Sequence, residues 1–144
     1  MTPVNTRPLL FLVKMVDVDQ SQEEEILALE SIYGNEFKII DSARKLLELQ
    51  VSNEENNWWS LTLRVKLPSN YPKEVAPCLE ILCECLSNSE LEQLRSGLDE
   101  IWMDNHGSCI LYLWAEKCRQ FIGFLSETAP SLQGLYYLIN FDHF

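Results

Sequence analysis

Asn70-Tyr71-Pro72-Lys73-Glu74-Val75-Ala76-Pro77 lies between the two clearest apolar-alternating segments of the chain and decides how they meet. Proline fixes φ, removes a backbone donor and drives the residue before it toward extended geometry, so Tyr71 and Ala76 are held out of helix. The loop is therefore a structural crossing built on Tyr71, Pro72 and Pro77. A tyrosine in such a place is expected to be packed, with its hydroxyl hydrogen-bonded within the turn. Before the loop, Trp59, Leu61, Leu63, Val65 and Leu67 alternate with Ser60, Thr62, Arg64 and Lys66, the period of a strand with one buried face. After it, Leu79, Ile81 and Cys83 alternate with Glu80, Leu82 and Glu84. The loop thus joins two strands that pair, and alternation sends Trp59 to the core and Trp58 to the opposite face.

Working toward the N terminus, Leu47, Leu49 and Val51 alternate with Leu46, Glu48 and Gln50, and Phe37, Ile39 and Ile40 mark an earlier strand. Asp41-Ser42 and the polar run from Ser52 to Asn57 supply the turns. Four strands in succession with short connections favour an antiparallel meander, because parallel pairing needs long crossovers. Ahead of them, Ser21 and Glu24 have capping-box spacing, and Ile26, Leu27, Leu29, Ile32 and Tyr33 recur at helical spacing up to Gly34. Beyond the sheet, Ser89 and Glu92 repeat the capping signal before the stripe Leu91, Leu94, Leu98, Ile101 and Trp102. His106-Gly107-Ser108 breaks that pattern, and Ile110 to Leu125 form a third, strongly apolar helix that Pro130 ends. The expected fold is α+β, a four-stranded antiparallel meander covered by helices, in the order α-β-β-β-β-α-α.

At 144 residues and 47% hydrophobic the chain has the size of one ordinary core. We place that domain at residues 21–127, between tails at 1–20 and 128–144. The run Leu9 to Val13 is interrupted by Lys14 and lacks a convincing small-residue cleavage site, so a signal peptide is not expected there, and the run is too short to span a bilayer. Met15 is a candidate alternative start. A net charge of −11 disfavours nucleic acid and anionic membrane, leaving other proteins with basic surfaces as partners. Glu23, Glu24, Glu25 and Glu30 are the candidate docking residues, with the hydrophobic tail Leu135 to Phe141 as a rival surface. Five cysteines with no Cys-x-x-Cys pair point to free thiols in a reducing compartment, the cytoplasm or nucleus.

Catalytic and metal chemistry find little support. Cys78, Cys83 and Cys85 follow the proline loop, but Glu80 and Glu84 beside them raise a thiol pKa. His106 and Cys109, with Asp104 nearby, form the one close Cys-His pair, but the position suits a turn histidine and a buried thiol better than a nucleophilic dyad. The chain has two histidines, the other being His143 in the tail, and its five glycines are scattered, so neither a metal site nor a phosphate loop is expected. No cofactor is implied.

Four stretches carry a family resemblance: Glu24-Glu25-Ile26-Leu27-Ala28-Leu29-Glu30-Ser31-Ile32-Tyr33, the loop from Tyr71-Pro72 to Pro77, Leu98-Asp99-Glu100-Ile101-Trp102, and Gly107-Ser108-Cys109-Ile110-Leu111-Tyr112-Leu113-Trp114. Together they resemble the RWD domain, a protein-interaction module related in fold to ubiquitin-conjugating enzymes. The last two are most similar to the N-terminal RWD domain of RING-between-RING ubiquitin ligases of the ring finger protein 14 type. The resemblance implies a non-catalytic partner-recruiting module: one such domain, in a starvation-activated translation kinase, binds a ribosome-associated activator, and others sit in ubiquitin or SUMO pathway proteins. It also implies a recruiting part of a ubiquitin-pathway protein such as a ligase. No cysteine-rich RING segment follows here, so ligase chemistry would belong to a longer parent. The alternative is a degenerate or active conjugating enzyme, whose His-Pro-Asn motif is missing between Pro77 and Trp102.

Overall fold

The computed structural model describes residues 17–53 and 59–128. Trp58, Met15, the Leu9 to Val13 run and the tail Leu135 to Phe141 lie outside the described residues. Helix α1 (Asp17–Tyr33) leads through a 3-10 turn (Gly34–Glu36) into strands β1 (Phe37–Asp41), β2 (Leu46–Ser52), β3 (Ser60–Lys66) and β4 (Cys78–Leu82), followed by helices α2 (Asn88–Asp104) and α3 (Leu111–Thr128). The strands form one antiparallel sheet in the order β1-β2-β3-β4, the meander expected from the spacing. Leu47, Leu49 and Val51 face Val65, Leu63 and Leu61 across the central pair, and all six are buried beneath the helices. Burying each such side chain is worth about 1.5–3 kcal/mol, so this double row fixes the register.

On the opposite face, Glu48, Arg64 and Glu80 are aligned across three strands. The Arg64 guanidinium reaches Glu48 at 2.6 Å and Glu80 at 3.5 Å. Among the described residues this side of the sheet is a polar surface, the pattern of an antiparallel sheet that they cover on one side only. Trp59 is buried, as alternation predicts.

Helix starts differ from the expected positions. Ser21 lies inside α1, which is already helical at Asp17, so its capping-box spacing with Glu24 is not used as a cap. In α2 the capping box is two residues earlier than Ser89 and Glu92: the Glu90 N–H donates to Ser87 Oγ at 3.1 Å, and the Ser87 N–H donates to Glu90 Oε1 at 2.9 Å. Both Ser-x-x-Glu frames satisfy the same local rule, and α2 uses the earlier one, ahead of the buried Leu94 and Leu98. Gly34, at φ +56, closes α1 in the left-handed region where a Cβ is strained.

Candidate interaction surface

The inner face of α1 departs from the apolar stripe read from the sequence. Gln22, Glu25, Leu29 and Tyr33, spaced three, four and four residues apart, are buried, whereas Leu27 is 65% and Ile32 55% exposed. Two polar side chains therefore occupy the core face. The reason lies in the proline loop. Pro68, Pro72 and Pro77 contribute no N–H, so carbonyls of this segment need donors from elsewhere. Both amide protons of Gln22 Nε2 serve them: one reaches Tyr71 O at 2.9 Å, and the other reaches Pro68 O at 2.7 Å, which also accepts the Tyr71 N–H at 3.1 Å from within the loop.

Glu25 completes this clamp. Tyr71 is fully buried, and its hydroxyl donates to the Glu25 carboxylate, 2.9 Å from each oxygen, while accepting the Ile110 N–H at 2.9 Å. The Leu111 N–H donates to Glu25 Oε2 at 3.0 Å. The tyrosine hydroxyl thus bonds across the fold, to α1 and the start of α3, and not within its own turn as expected. The first N–H groups of α3 lack intrahelical acceptors, and here a carboxylate and a phenol from distant elements cap them. Burial pushes the Glu25 pKa above the ordinary carboxylate value, against the lowering effect of the Leu111 N–H and the Tyr71 hydroxyl. Glu25, counted among the candidate docking residues, is an interior helix cap with 8% exposure and presents nothing to a partner.

The remaining acidic residues divide between two sides of α1. Glu23, Leu27 and Glu30, spaced four and three apart, share one exposed flank. Glu24 is turned from Glu23 by about 100° and accepts a hydrogen bond from Gln20 Nε2 at 3.2 Å. Along the flank of Glu23 and Leu27 runs an open groove of about 300 Å³, lined by Ile26 and Leu27 of α1, Ile39 of β1 and Leu47 of β2. Glu23 borders it on the helix side, and Ser42 and Lys45 border it on the β1–β2 turn. Ile39 pairs with Leu47 and shares its face of the sheet, yet is 44% exposed, so α1 leaves the edge of its own sheet uncovered. Glu30 is exposed on the same flank. The arrangement offers apolar contact next to carboxylates, and no fixed donor set for a metal: among the described residues no group of three or more histidine, cysteine or acidic side chains is placed to hold one.

The candidate nucleophiles are poorly placed for thioester chemistry. Cys78 is exposed on the edge strand. Burial pushes the Cys85 thiol up to about 11, with the neighbouring Cys83 adding to it, which leaves little thiolate near neutrality. Cys109 is surface-exposed as a residue, but its sulfur faces Glu25 and lies 3.8 Å from Ser21 O. Desolvation and the Glu25 charge push its thiol up to about 12. His106 packs at a tilt against Trp102, with ring centroids 4.9 Å apart, and Trp102 in turn lies against Tyr71. The turn histidine and the clamp therefore belong to one aromatic cluster. Among the described residues no helix is long and apolar enough to cross a membrane.

The model of the RWD domain family matches residues 20–122. Protein IMPACT-B of Xenopus tropicalis is 40% identical over 103 residues, 72% of this chain and 32% of that protein. Human protein IMPACT is 39% identical over 102 residues, 70% of this chain and 32% of that protein. The chain thus spans about a third of the length of these curated relatives. Among solved structures, the solution structure of the RWD domain of mouse GCN2 superposes with a TM-score of 0.64 at 28% identity, covering 72% of this chain and 84% of that one.

Proposed function

Because the chain belongs to the RWD domain family, we propose that it is a non-catalytic protein-interaction module that docks its partner along the exposed flank of α1. The observation that carries this reading is the uncovered groove beside Leu27 and Ile39, bordered by Glu23 and next to Glu30. A partner segment with an apolar side chain flanked by lysine or arginine fits it: the side chain buries Leu27 and Ile39, and the cations meet the carboxylates. Covering one exposed leucine is worth about 1.5–3 kcal/mol, roughly 10- to 100-fold in affinity. The charges act mainly on encounter rate and are screened beyond about 8 Å in physiological salt, so association is salt-sensitive. Basic proteins of the cytoplasm or nucleus are the proposed partners, a location supported by five free cysteines.

Capture of a partner from cell extract by the immobilised chain, across a salt series, tests the proposal. Leu27→Asp and the pair Glu23→Lys with Glu30→Lys are expected to lose the partner while their circular dichroism stays native. Glu24→Lys, on the other side of the helix, is expected to keep it. Undiminished capture by the first two variants, together with loss on truncation after Ser131, would move the docking surface to the C-terminal tail. A ubiquitin-ligase parent is a finer reading that the matched relatives do not favour, since they are IMPACT proteins. The conjugating-enzyme alternative predicts a reducible ubiquitin thioester with activating enzyme and ATP, and we expect none, given the raised thiols of Cys85 and Cys109.

A further inference from the structure

Cys83 and Cys85 leave the end of β4 as a Cys-x-Cys pair whose sulfurs lie 3.2 Å apart. The chain leaves β4 after Leu82 and bends at Glu84, Cys85 and Leu86, and this bend brings the two thiols together although no Cys-x-x-Cys spacing exists. Both are held against one acceptor, Ser60 O, at 3.2 Å from Cys83 and 3.5 Å from Cys85. Both are half-buried, and they line an open cleft of about 370 Å³ with Ser60, Leu61, Thr62 and Glu84. A third thiol, Cys118 of α3, is fully buried behind them. The pair is thus reachable from solvent, preassembled, and outside the α1 flank.

From this geometry we propose that Cys83 and Cys85 are a two-electron dithiol site that reacts with low-molecular-weight disulfides and closes to an intramolecular disulfide. One thiolate attacks a sulfur of the small disulfide, forming a mixed disulfide and expelling one small thiolate. The second protein thiolate attacks the protein sulfur of that mixed disulfide and expels the other small thiolate. The balance is one protein dithiol and one small disulfide giving one protein disulfide and two small thiols. Sulfurs 3.2 Å apart need to approach by little more than 1 Å to reach the roughly 2.05 Å of a disulfide bond. Ring closure therefore outruns release of a stable adduct. The elevated Cys85 thiol makes thiolate scarce at neutral pH, so the reaction quickens about tenfold per pH unit where ionisation is limiting. Closure also removes the two S–H donors that Ser60 O now accepts.

The test incubates the reduced full chain with glutathione disulfide at pH 7 and pH 8, quenches with acid, and alkylates the remaining thiols in denaturant. Two of the five thiols are expected to be lost, with the intact mass lower by two hydrogens and no glutathione retained. Cys78, Cys83 and Cys85 share the segment between Lys73 and Arg95, so fragmentation of that tryptic peptide assigns the bond. Cys83 and Cys85 should escape alkylation while Cys78 is labelled, and dithiothreitol should restore both. Cys83→Ser should stop at a glutathione adduct on Cys85, and Cys78→Ser should change nothing. A persistent glutathione adduct on the unmutated pair, a bond from Cys83 to Cys118, or full alkylation of both cysteines would overturn the proposal.

Discussion

Tyr71→Phe removes a single oxygen that serves three elements at once. The ring stays, so no aromatic cavity opens, but the Ile110 N–H loses its acceptor and the Glu25 carboxylate loses one of its donors. Leaving a buried donor unsatisfied costs about 1–3 kcal/mol, and a hydrogen bond to a charged group is worth about 1.5–3 kcal/mol. The two overlap, because Glu25 keeps the Leu111 N–H, and we expect a loss of about 2–4 kcal/mol. Tyr71→Ala adds the roughly 3–5 kcal/mol of aromatic truncation and approaches the whole stability of a small domain, about 5–15 kcal/mol, so the phenylalanine variant is the informative one. Urea unfolding at pH 7 reads the effect. With a slope of about 1–3 kcal/mol per molar, the midpoint should fall by about 1–2 M at unchanged slope. A double-mutant cycle with Glu25→Gln should show coupling of about 1 kcal/mol or more between the two sites. A loss under about 0.5 kcal/mol for Tyr71→Phe would refute the clamp, since the α3 N–H groups would then be satisfied without the hydroxyl.

Three other outcomes are expected. Burial raises the Glu25 pKa in the fold above the ordinary value of 4.5, so the stability its proton confers is complete below that pH and lost as pH rises through the raised folded value; the unfolding free energy of Glu25→Gln relative to the parent should climb over that window and then level, and a difference independent of pH would contradict the assignment. Gly97→Ala, in the interior of α2, should raise stability by about 0.5–1 kcal/mol from helix propensity, because its new Cβ meets only the far end of the flexible Lys117 side chain, at 2.9 Å; a fall in melting temperature would show that Lys117 cannot move aside. Lys45 holds φ at 56°, and Lys45→Gly should relieve about 1 kcal/mol of left-handed strain, seen as a higher urea midpoint; a lower midpoint would show that the side chain at the groove border stabilises the turn by more than the strain costs.

The strands were legible because a half-buried sheet imposes period two on the residues themselves, and Leu47 to Val51 and Leu61 to Val65 follow it without exception. The Tyr-Pro loop was legible for a different reason: proline acts on its own φ and on its neighbour, with no help from the rest of the chain. The inner face of α1 was not. Leu27 and Ile32 look like core in a hydrophobicity pattern and lie outside, while Gln22 and Glu25 look like surface and lie inside. The missed signal was present in composition, as a proline-rich loop short of donors paired with a helix offering an amide and a carboxylate, but nothing in the sequence states which polar residues face it.

By itself, then, the sequence determined what depends on neighbours a few residues apart: strand alternation, chain breaks, the meander and the charge. Which Ser-x-x-Glu frame caps α2, which of four glutamates is withdrawn to cap α3 from 86 residues away, and which leucine is left bare beside the sheet edge were decided only in three dimensions. Those outcomes turn on satisfying buried N–H and C=O groups and on covering apolar area between segments far apart in the chain, and no local periodicity records that competition.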